Sequence, residues 1–512
     1  MKQFIVRSLS FVLLIIMLLT AVSCAQQEES TSSEAVSSDV STEVSKEEEF
    51  VLFSNLPEKD YSGKVIRVLV EGDYMTSYKS VELLPHEESY DALNTAITNR
   101  NNLVTERFGV TFEQDRTSST PEMANTLREN AVSGISTYDF VMPYLPVAAS
   151  IAQEGYLLDL AQMENIHLDQ PYYDQGSVKG LSIGGKNYFV TGDLSLLTYD
   201  VTHVLLFNKD MIKDNNLENP YDLVTSGKWT LDKLREMAQK ITGDTDGESG
   251  MTHKDTYGFL VNNNFISSMF IGCGLRFTGK DQNDEPVLTI YSEQATTAYN
   301  KIFDLVNDET ACGQIDNLSK GFGSSAVADG LTVWEGATEA IASKRALFRA
   351  VSLNAILVLG EYDCNFGVLP APKFDEAQDN YYVRVSTLYA SSVAIPNNAA
   401  DPEMSSIIID ALMQSSTDTV KEAYIEVVMK ERKIQDDESE AMLDLIFDSR
   451  VYDYGTVYNW GGASEGDANS ITGFMNNIAF SGTNTFVSRW QAIEPTVQAA
   501  MDDTIATYRA ID

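Results

Sequence analysis

Strands and helices alternate regularly over residues 64–142, and this alternation restricts the possible folds more than any other feature of the chain. The pattern predicts, in order, a core strand at 64–70, a helix at 91–108, a strand at 110–113, a helix at 121–133 and a buried strand at 138–142. Gly109 is expected to end the first helix. A βαβαβ order predicts a parallel sheet covered by helices on both faces.

Ligands of open parallel sheets bind outside the carboxyl ends of the strands. The sequence Pro143-Tyr144-Leu145-Pro146 follows the third predicted strand directly. Tyr144 is therefore a candidate ligand-facing residue.

The length and the net charge of the chain limit its domain number and its binding partners. The chain has 512 residues, and its 75 acidic against 36 basic residues give a formal net charge of −39. A folded part of about 450 residues exceeds one ordinary hydrophobic core, so at least two domains are expected. The negative charge argues against nucleic acid or an anionic lipid surface as a partner.

The N-terminus has the pattern of an export signal. Lys2 and Arg7 precede an apolar stretch at 11–19 that is too short to span a bilayer comfortably. Ala21-Val22-Ser23-Cys24 resembles a bacterial lipobox, with Ala21 where leucine is usual. We expect residues 1–23 to be a lipoprotein signal peptide and Cys24 to be lipidated. An ordinary secretory signal is the alternative, and both predict export.

Residues 24–49 are mainly Ser, Thr, Glu and Val, without an aromatic residue or an apolar period. Such a segment cannot bury enough surface to offset its ordering entropy, so a disordered acidic tether is expected. An acidic recognition tail is the alternative. The other cysteines are Cys273, Cys312 and Cys364, an odd number without CxxC spacing that allows one disulfide at most.

The segment 197–243 is the most distinctive stretch of the chain. Its apolar run at 204–207 predicts a buried strand, Asn208 opens a helical stretch, and Pro220 lies in a loop. Trp229 precedes Thr230, which is the expected N-cap of an amphipathic helix. This order resembles the lobe-crossing segment of the extracellular solute-binding proteins of ABC sugar importers (family 1, the maltose-binding-protein type).

Other segments carry the same resemblance, in the order in which that family has them. They are the Gly-x-Leu-x-Asp-Leu pattern at 155–160, the strand with paired prolines at 366–373, the strand at 391–396 and the helix at 404–413. The resemblance extends from about residue 65 to about residue 415. A helix is also expected at 338–348.

The resemblance implies a two-lobed α/β fold of the periplasmic-binding-protein type (type 2). Each lobe would be a largely parallel sheet flanked by helices, and discontinuous segments would be joined by a hinge. On this chain, lobe one is expected to comprise residues 50–198 and 362–413, and lobe two residues 199–361 and 414–512.

The sequence offers little for catalysis or for a cofactor. Its four histidines, His86, His167, His203 and His253, lack metal-ligand spacing, and no nucleotide or hydrolase motif is present. We therefore expect no catalytic residue, metal or cofactor. A glycosidase with two carboxylates stays open, because 75 acidic residues make any chosen pair uninformative. Asp244-x-Asp246-Gly247 suggests either a calcium loop or an Asx turn. The turn is favoured because the EF-hand order is incomplete.

Sugar rings have an apolar face for stacking and hydroxyl groups that need donors and acceptors. Aromatic residues in predicted loops, and polar residues where the family's ligand-facing loops fall, are thus the candidates. The ligand-binding candidates are Tyr144, Tyr199, Asp200, Asn262, Asn264, Trp334, Glu335, Asn354, Tyr458 and Trp460.

The sequence thus predicts a monomeric, lipid-anchored receptor outside the cytoplasmic membrane that touches the membrane only through its anchor. It would capture a carbohydrate, an oligosaccharide, by hinge closure and deliver it to the permease of an ABC importer. Two alternatives stay open at this point. One is a surface-anchored glycan-processing enzyme, and the other is a receptor for a solute other than a sugar.

Overall fold

The computed structural model describes residues 51–72, 78, 80–87, 89–322, 332–360, 362–427 and 437–511. The expected signal peptide at 1–23, Cys24 and the tether at 24–49 lie outside these residues. The chain divides into the units Met1–Phe50 and Val51–Asp512, and the described residues belong to the second.

A three-stranded parallel sheet forms the first layer, as predicted. Its strands are β1 (Lys64–Val70), β2 (Val110–Arg116) and β3 (Phe140–Met142), in the order β2-β1-β3. The helices Asp91–Phe108 and Thr120–Ser133 connect these strands. Gly109 ends the first helix with a φ of 63°, a conformation that glycine adopts without strain, and its N–H donates to the carbonyl of Thr105.

The second sheet has five strands. The remaining strands of the described chain are β4 (His203–Asn208), β5 (Tyr257–Val261), β6 (Thr278–Lys280), β7 (Pro286–Leu288), β8 (Cys312–Gln314), β9 (Ala346–Ser352), β10 (Phe366–Leu369), β11 (Val383–Arg384) and β12 (Arg450–Val451). The five-stranded order is β10-β4-β9-β5-β8. Only β4 runs antiparallel to its neighbours, so this sheet is also largely parallel.

Helices cover both sheets. Between β3 and β9 they are Leu145–Gln153, Gln175–Leu181, Leu197–Asp200, Lys209–Asp214, Pro220–Thr225, Leu231–Gln239, Ile266–Gly272, Glu293–Val306, Ile315–Phe322 and Val333–Ala342. Beyond β9 they are Ile356–Leu359, Pro402–Ser416, Glu422–Glu426, Asp437–Asp448, Tyr454–Tyr458, Gly473–Ala479 and Phe486–Ala510. Short 3₁₀ turns occupy Leu160–Gln162, Asn263–Phe265 and Leu353–Ala355, and a π-helical stretch occupies Thr417–Lys421.

The helix expected at 338–348 is wrong at its C-terminal end. The helix ends at Ala342, Lys344 turns with a φ of 58°, and the next residues form β9. β9 pairs with β4 on one side and β5 on the other. Strand pairing has therefore overridden the local helix propensity of this alanine-containing stretch.

The chain crosses between the two sheets twice in neighbouring segments. Thr202 pairs with Val385, while residues 391–396 form bridges with Val141, Tyr144 and Val190 on the side of the first sheet. β10 belongs to the five-stranded sheet. The return to the first sheet thus follows Leu369, and the lobe boundary expected at residue 362 stays a prediction.

The C-terminal region contacts both halves of the molecule. The helix Tyr454–Tyr458 packs on the helix Leu145–Gln153, and Thr504 donates a 2.8 Å hydrogen bond to Gln153. Phe486 stacks on Tyr299 at a centroid distance of 4.5 Å. Residues 414–512 therefore contact elements on the side of both sheets, and their expected assignment to lobe two stays a prediction.

Cys273, Cys312 and Cys364 are buried, and none of the three forms a disulfide. Burial raises the pKa of the Cys273 thiol to about 12, so this thiol is protonated at neutral pH. In the described part of the chain, no helix combines the length and the apolar character that a bilayer crossing requires.

Trp229 and Thr230 start the helix Leu231–Gln239 as expected. The Thr230 hydroxyl accepts a hydrogen bond from the Lys233 N–H, which is the predicted N-cap. Trp229 is fully buried, its Nε1–H donates to the carbonyl of Pro370 at 3.0 Å, and its ring lies 5.3 Å from that of Phe348. This indole therefore joins the helix to two strands of the second sheet.

Trp229→Ala should lower the free energy of unfolding by about 3–5 kcal/mol, because it empties a large fully buried site and removes a hydrogen bond. Trp334 is 48% exposed, so Trp334→Ala is the matched control and should change stability by less than about 0.5 kcal/mol. Urea denaturation followed by circular dichroism measures both. Equal losses in the two variants would contradict this assignment.

Candidate functional site

The carboxyl ends of the two sheets converge on one tyrosine. β3 leads into Tyr144, whose hydroxyl donates to the carbonyl of Tyr78 at 2.7 Å. β9 leads into Ser352 and Asn354, which hydrogen-bond the Tyr78 phenol from the side of the second sheet. Burial raises the pKa of this phenol, and those two hydrogen bonds partly oppose the shift. Tyr78 is therefore the meeting point of the two carboxyl edges.

Tyr78, Tyr144 and Tyr389 form what we call the tyrosine cluster. The rings of Tyr78 and Tyr389 stack at 4.6 Å with an interplanar angle of 12°, and Tyr144 meets Tyr389 edge-on at 5.8 Å. Tyr144 is fully buried, whereas the other two are half-buried. Half-buried aromatic faces beside polar groups suit a ligand that has both apolar and hydroxyl surfaces.

Two carboxylates adjoin the tyrosine cluster. Glu82 is fully buried and accepts hydrogen bonds from Ser80 at 2.5 Å, from the Leu197 N–H at 3.1 Å and from the Ser391 hydroxyl. Burial raises the pKa of Glu82, and these donors oppose the shift. Asp200 lies near both Glu82 and Tyr78.

The pKa of the Asp200 carboxyl group is unusually high for an aspartate. It is half-buried and accepts a 2.7 Å hydrogen bond from the Tyr424 hydroxyl. Burial raises the pKa of Asp200 to about 7, the Tyr424 hydrogen bond opposes this, and the charge of Glu82 adds to it. Its carboxyl group therefore changes charge near neutral pH.

Arg349 supports the site from β9. Its Nη1 donates to the carbonyl of Trp334 at 2.6 Å and to the hydroxyl of Thr338. Burial lowers the pKa of this guanidinium to about 9, and nearby Tyr78 opposes the shift. The arrangement holds cationic, anionic and aromatic groups but no metal-ligand set or paired nucleophile and base among the residues described here. It can bind a polar solute.

Comparison with known proteins now decides the family. Residues 103–425, more than half of the chain, match the family described as bacterial extracellular solute-binding protein. The chain belongs to this family. It is therefore a receptor, not an enzyme, and it acts outside the cytoplasm.

Solved structures show the same fold. UgpB from Mycobacterium tuberculosis, in complex with glycerophosphocholine, is 15% identical, with a TM-score of 0.52 over 87% of this chain and 100% of that one. The ABC substrate-binding protein Lmo0181 from Listeria monocytogenes, in complex with cycloalternan, is 12% identical, with a TM-score of 0.50 over 87% of this chain and 99% of that one. The predicted two-lobed fold is confirmed. The search of curated proteins gives no match.

The predicted site residues of this solute-binding protein divide into two groups. Tyr144 and Asn354 meet at Tyr78, and Asp200 lies near them. Tyr199, by contrast, is buried in packing. Its hydroxyl donates to Asp193 at 3.1 Å, and its ring lies 4.4 Å from the Arg450 guanidinium. These contacts give Tyr199 a packing role, and a role in binding stays a prediction.

Glu335 serves its own helix. Its carboxylate accepts from the backbone N–H of Thr332 at 2.7 Å, and the Thr332 hydroxyl accepts from the Glu335 N–H, so the two form a capping box. The role of Glu335 as a sugar acceptor beside Trp334 stays a prediction. The Trp334 carbonyl binds Arg349, while its side chain is largely exposed.

Tyr458 and Trp460 form a packed pair, and their predicted role in binding stays a prediction. Their rings stack at 5.4 Å with an angle of 15°. The Trp460 Nε1–H donates to Thr504 at 2.9 Å, and the Tyr458 hydroxyl lies 2.5 Å from that of Tyr508. Trp460 is buried, and burial raises the pKa of Tyr458. Both residues anchor the C-terminal helix Phe486–Ala510.

Asn262 and Asn264 follow β5 at the carboxyl edge of the second sheet. Asn262 is buried and precedes the 3₁₀ turn, whereas Asn264 is exposed and its carbonyl accepts from Ser267. Phe265, between them and the next helix, stacks on His203 at 4.1 Å. Their placement at this edge agrees with the family's loop order, and a role in binding stays a prediction.

Sequence reasoning missed Tyr78, Glu82, Arg349 and Tyr389. Tyr389 comes just before the 391–396 strand, so its position relative to a recognised segment could have identified it. The sequence around Tyr78 and Glu82 has no motif that would have marked these two residues as part of a site.

The aspartate-rich loop has the geometry of a turn. The carboxylates of Asp244, Asp246 and Asp255 lie within 4.8 Å of one another. Asp255 is buried and accepts from the Thr245 and Thr252 N–H groups at 2.6 and 2.7 Å. These carboxylates are thus used by the loop's own backbone.

Stability should depend on pH through Asp200. Its pKa in the folded protein, about 7, lies above the unfolded value of 3.8, so its favourable contribution is complete below pH 3.8 and is lost as pH rises through 7. The unfolding free energy of the wild type relative to Asp200→Asn should therefore fall by up to about 1.4 kcal/mol per pH unit between pH 5 and 7 and then level off.

Urea denaturation at unit steps from pH 5 to pH 9 measures this difference. Tyr424→Phe removes the hydrogen bond that opposes the rise in the pKa of Asp200. In the Tyr424→Phe background, the stability difference should therefore become constant only at a higher pH. A difference between the wild type and Asp200→Asn that stays constant with pH would disprove the assignment.

Proposed function

We propose that this solute-binding protein captures a carbohydrate, an oligosaccharide, between the carboxyl edges of its two sheets and delivers it to the permease of an ABC importer. The tyrosine cluster is the observation that carries the proposal. It offers half-buried aromatic faces beside hydroxyl, amide and carboxylate groups from both sheets. Sugars need this combination of surfaces. The fold neighbour Lmo0181 holds cycloalternan, which supports the same ligand class.

Capture would proceed by closure of two lobes about the crossing segments. Lobe one would contain the three-stranded sheet with 391–413, and lobe two the five-stranded sheet through β10. A ligand that touches both lobes only in the closed form shifts the equilibrium by its differential affinity. The segments near Thr202 and Val385, which pair with each other, would be the hinge.

We also propose that the receptor is a monomer held at the membrane by a lipid on Cys24. After removal of residues 1–23, residues 24–49 would act as the tether. The pattern Ala21-Val22-Ser23-Cys24 supports this arrangement. A diacylglyceryl group has two acyl chains, which give stable attachment where one chain is marginal.

A thermal-shift screen tests the ligand class. Maltotriose, cellotriose, mannobiose and glycerophosphocholine serve as probes, and the binding sugar should stabilise the protein by about 2.7 kcal/mol at one hundred times its dissociation constant. Tyr389→Ala should weaken binding about tenfold by removing a stacking face. Tyr291→Ala, at an exposed tyrosine, is the control and should bind as the wild type does.

Small-angle scattering with the binding sugar should show a smaller radius of gyration. If glycerophosphocholine stabilises the protein and none of the sugars does, the ligand is not a carbohydrate. An unchanged radius at saturation would contradict lobe closure.

Cys24→Ala should release the protein from the membrane, because a lipobox without its cysteine cannot be lipidated. Fractionation of the expressing bacterium, followed by immunodetection, measures the membrane-bound share. Ser33→Ala, in the expected tether, is the control and should stay membrane-bound. Retention of the Cys24→Ala protein on membranes would remove the anchor from this account.

A further inference from the structure

A ring of buried polar side chains lies beside the tyrosine cluster. We call it the polar ring, and its six members are His203, Ser268, Arg384, Glu465, Thr472 and Asn476. Arg384 ends β11 and comes five residues before Tyr389 of the tyrosine cluster in the sequence. Burial raises the pKa of Tyr389, and the charge of Glu465 raises it further.

The first half of the ring is built around Glu465. Its carboxylate pairs with Nη2 of Arg384. A Cβ atom on Gly473 would lie 2.6 Å from the Glu465 carbonyl oxygen, so the chain at Thr472 and Gly473 packs directly against Glu465. The helix Gly473–Ala479 then carries Asn476.

The second half returns to Arg384. The Asn476 Oδ1 accepts from the Ser267 N–H at 3.1 Å, and the hydroxyl of Ser268 hydrogen-bonds Nδ1 of His203. Burial and the charge of Arg384 hold the pKa of His203 well below its usual range. The imidazole is therefore neutral. Thr202, adjacent to His203, pairs with Val385, adjacent to Arg384, and this pairing closes the ring.

Four polar atoms in this ring have no partner among the described residues. They are Nε and Nη1 of Arg384, Oγ1 of Thr472 and Nδ2 of Asn476. The Arg384 side chain is only 1% exposed. Native proteins pair almost all buried polar atoms with protein, water or ligand groups. All four of these atoms can donate, so they require a partner that supplies acceptors.

The charge of the polar ring decides which acceptors fit. Arg384 and Glu465 cancel each other and His203 is neutral, so the ring has no net charge. A carboxylate or phosphate would add an uncompensated buried negative charge beside Glu465, which is costly. A hydroxyl group can accept from the guanidinium or the amide and donate its own proton to Glu465.

We propose that the polar ring binds hydroxyl groups of a neutral sugar unit whose ring face stacks on the tyrosine cluster, and that it disfavours uronates and phosphodiesters. This proposal rests on the proposed carbohydrate function and names the ligand class within it. Arg384, Thr472 and Asn476 are then specificity-determining residues.

Thr472→Val is the sharpest test, because it removes a hydroxyl that has no partner in the described part of the chain and keeps the shape of the side chain. Calorimetric titration should show a dissociation constant raised about 3- to 10-fold for the neutral oligosaccharide that binds most tightly among maltotriose, cellotriose and mannobiose. The unfolding temperature without ligand should stay unchanged or rise. Arg384→Lys keeps the charge beside Glu465 but loses the unpaired donors, and should weaken binding by about tenfold or more.

Tyr61→Phe is the matched control. The Tyr61 hydroxyl is also buried and has no partner within the described ranges, but Tyr61 lies near the amino end of β1, where its N–H donates to the Phe108 carbonyl. This variant should bind sugar as the wild type does. Trigalacturonate and glycerophosphocholine, which carry charge, should bind the wild type more weakly than the neutral sugar.

The outcomes separate this proposal from the function on which it rests. If a neutral sugar binds and both ring variants match the wild type, the polar ring is not a binding site and the carbohydrate function stands. Tighter binding of trigalacturonate also overturns the proposal alone. A Thr472→Val protein that is less stable without ligand would give the hydroxyl a structural role instead. If no saccharide binds, both proposals fall.

Discussion

The buried carboxylate of Glu82 is the interaction on which the link between the two sheets depends. It accepts from the Leu197 N–H, where the chain leaves the first sheet, and from the Ser391 hydroxyl, where the chain returns. Arg100, also fully buried, donates to the carbonyl of Glu82 at 2.8 Å. A buried carboxylate is costly unless donors surround it, so Glu82 fixes both crossing segments at one point. The remaining geometry of the site follows from that point.

The first sheet could be predicted because its signals are local. β1 and β3 are mainly apolar runs, and β2 begins with alternating apolar and polar residues. Gly109 and Gly134 end the intervening helices in the left-handed conformation. β9 could not be predicted in the same way. Its residues form a strand because β4 and β5 pair with it from distant parts of the sequence. For the same reason the pairing of β10 with the distant β4 could not be predicted from local signals.

Only part of the candidate site could be predicted from the sequence. Tyr144 was predicted because it follows a strand at a carboxyl edge, a position that topology alone assigns to ligands. Asn354 was predicted because the family resemblance puts a ligand-facing loop near it, and a role of either residue in binding stays a prediction. Tyr458 and Trp460 have the glycine and asparagine neighbours of a loop, yet they pack under a helix that begins at Phe486. The capping box of Thr332 and Glu335 was visible in the sequence as Thr-x-x-Glu, so this carboxylate could have been assigned to its helix from the start.

The crossing segment from β11 to Ser391 carries residues of the proposed binding site and also forms part of the proposed hinge. It carries Arg384 of the polar ring and Tyr389 of the tyrosine cluster within one short stretch, and Val385 pairs with Thr202 of the other crossing segment. If the proposed function is correct, a sugar unit that stacks on Tyr389 and accepts a hydrogen bond from Arg384 contacts the hinge itself. Its hydrogen bonds then form with groups whose relative position changes as the lobes close. Such contacts differ in strength between the open and closed forms, and only a difference of this kind can shift the equilibrium between them.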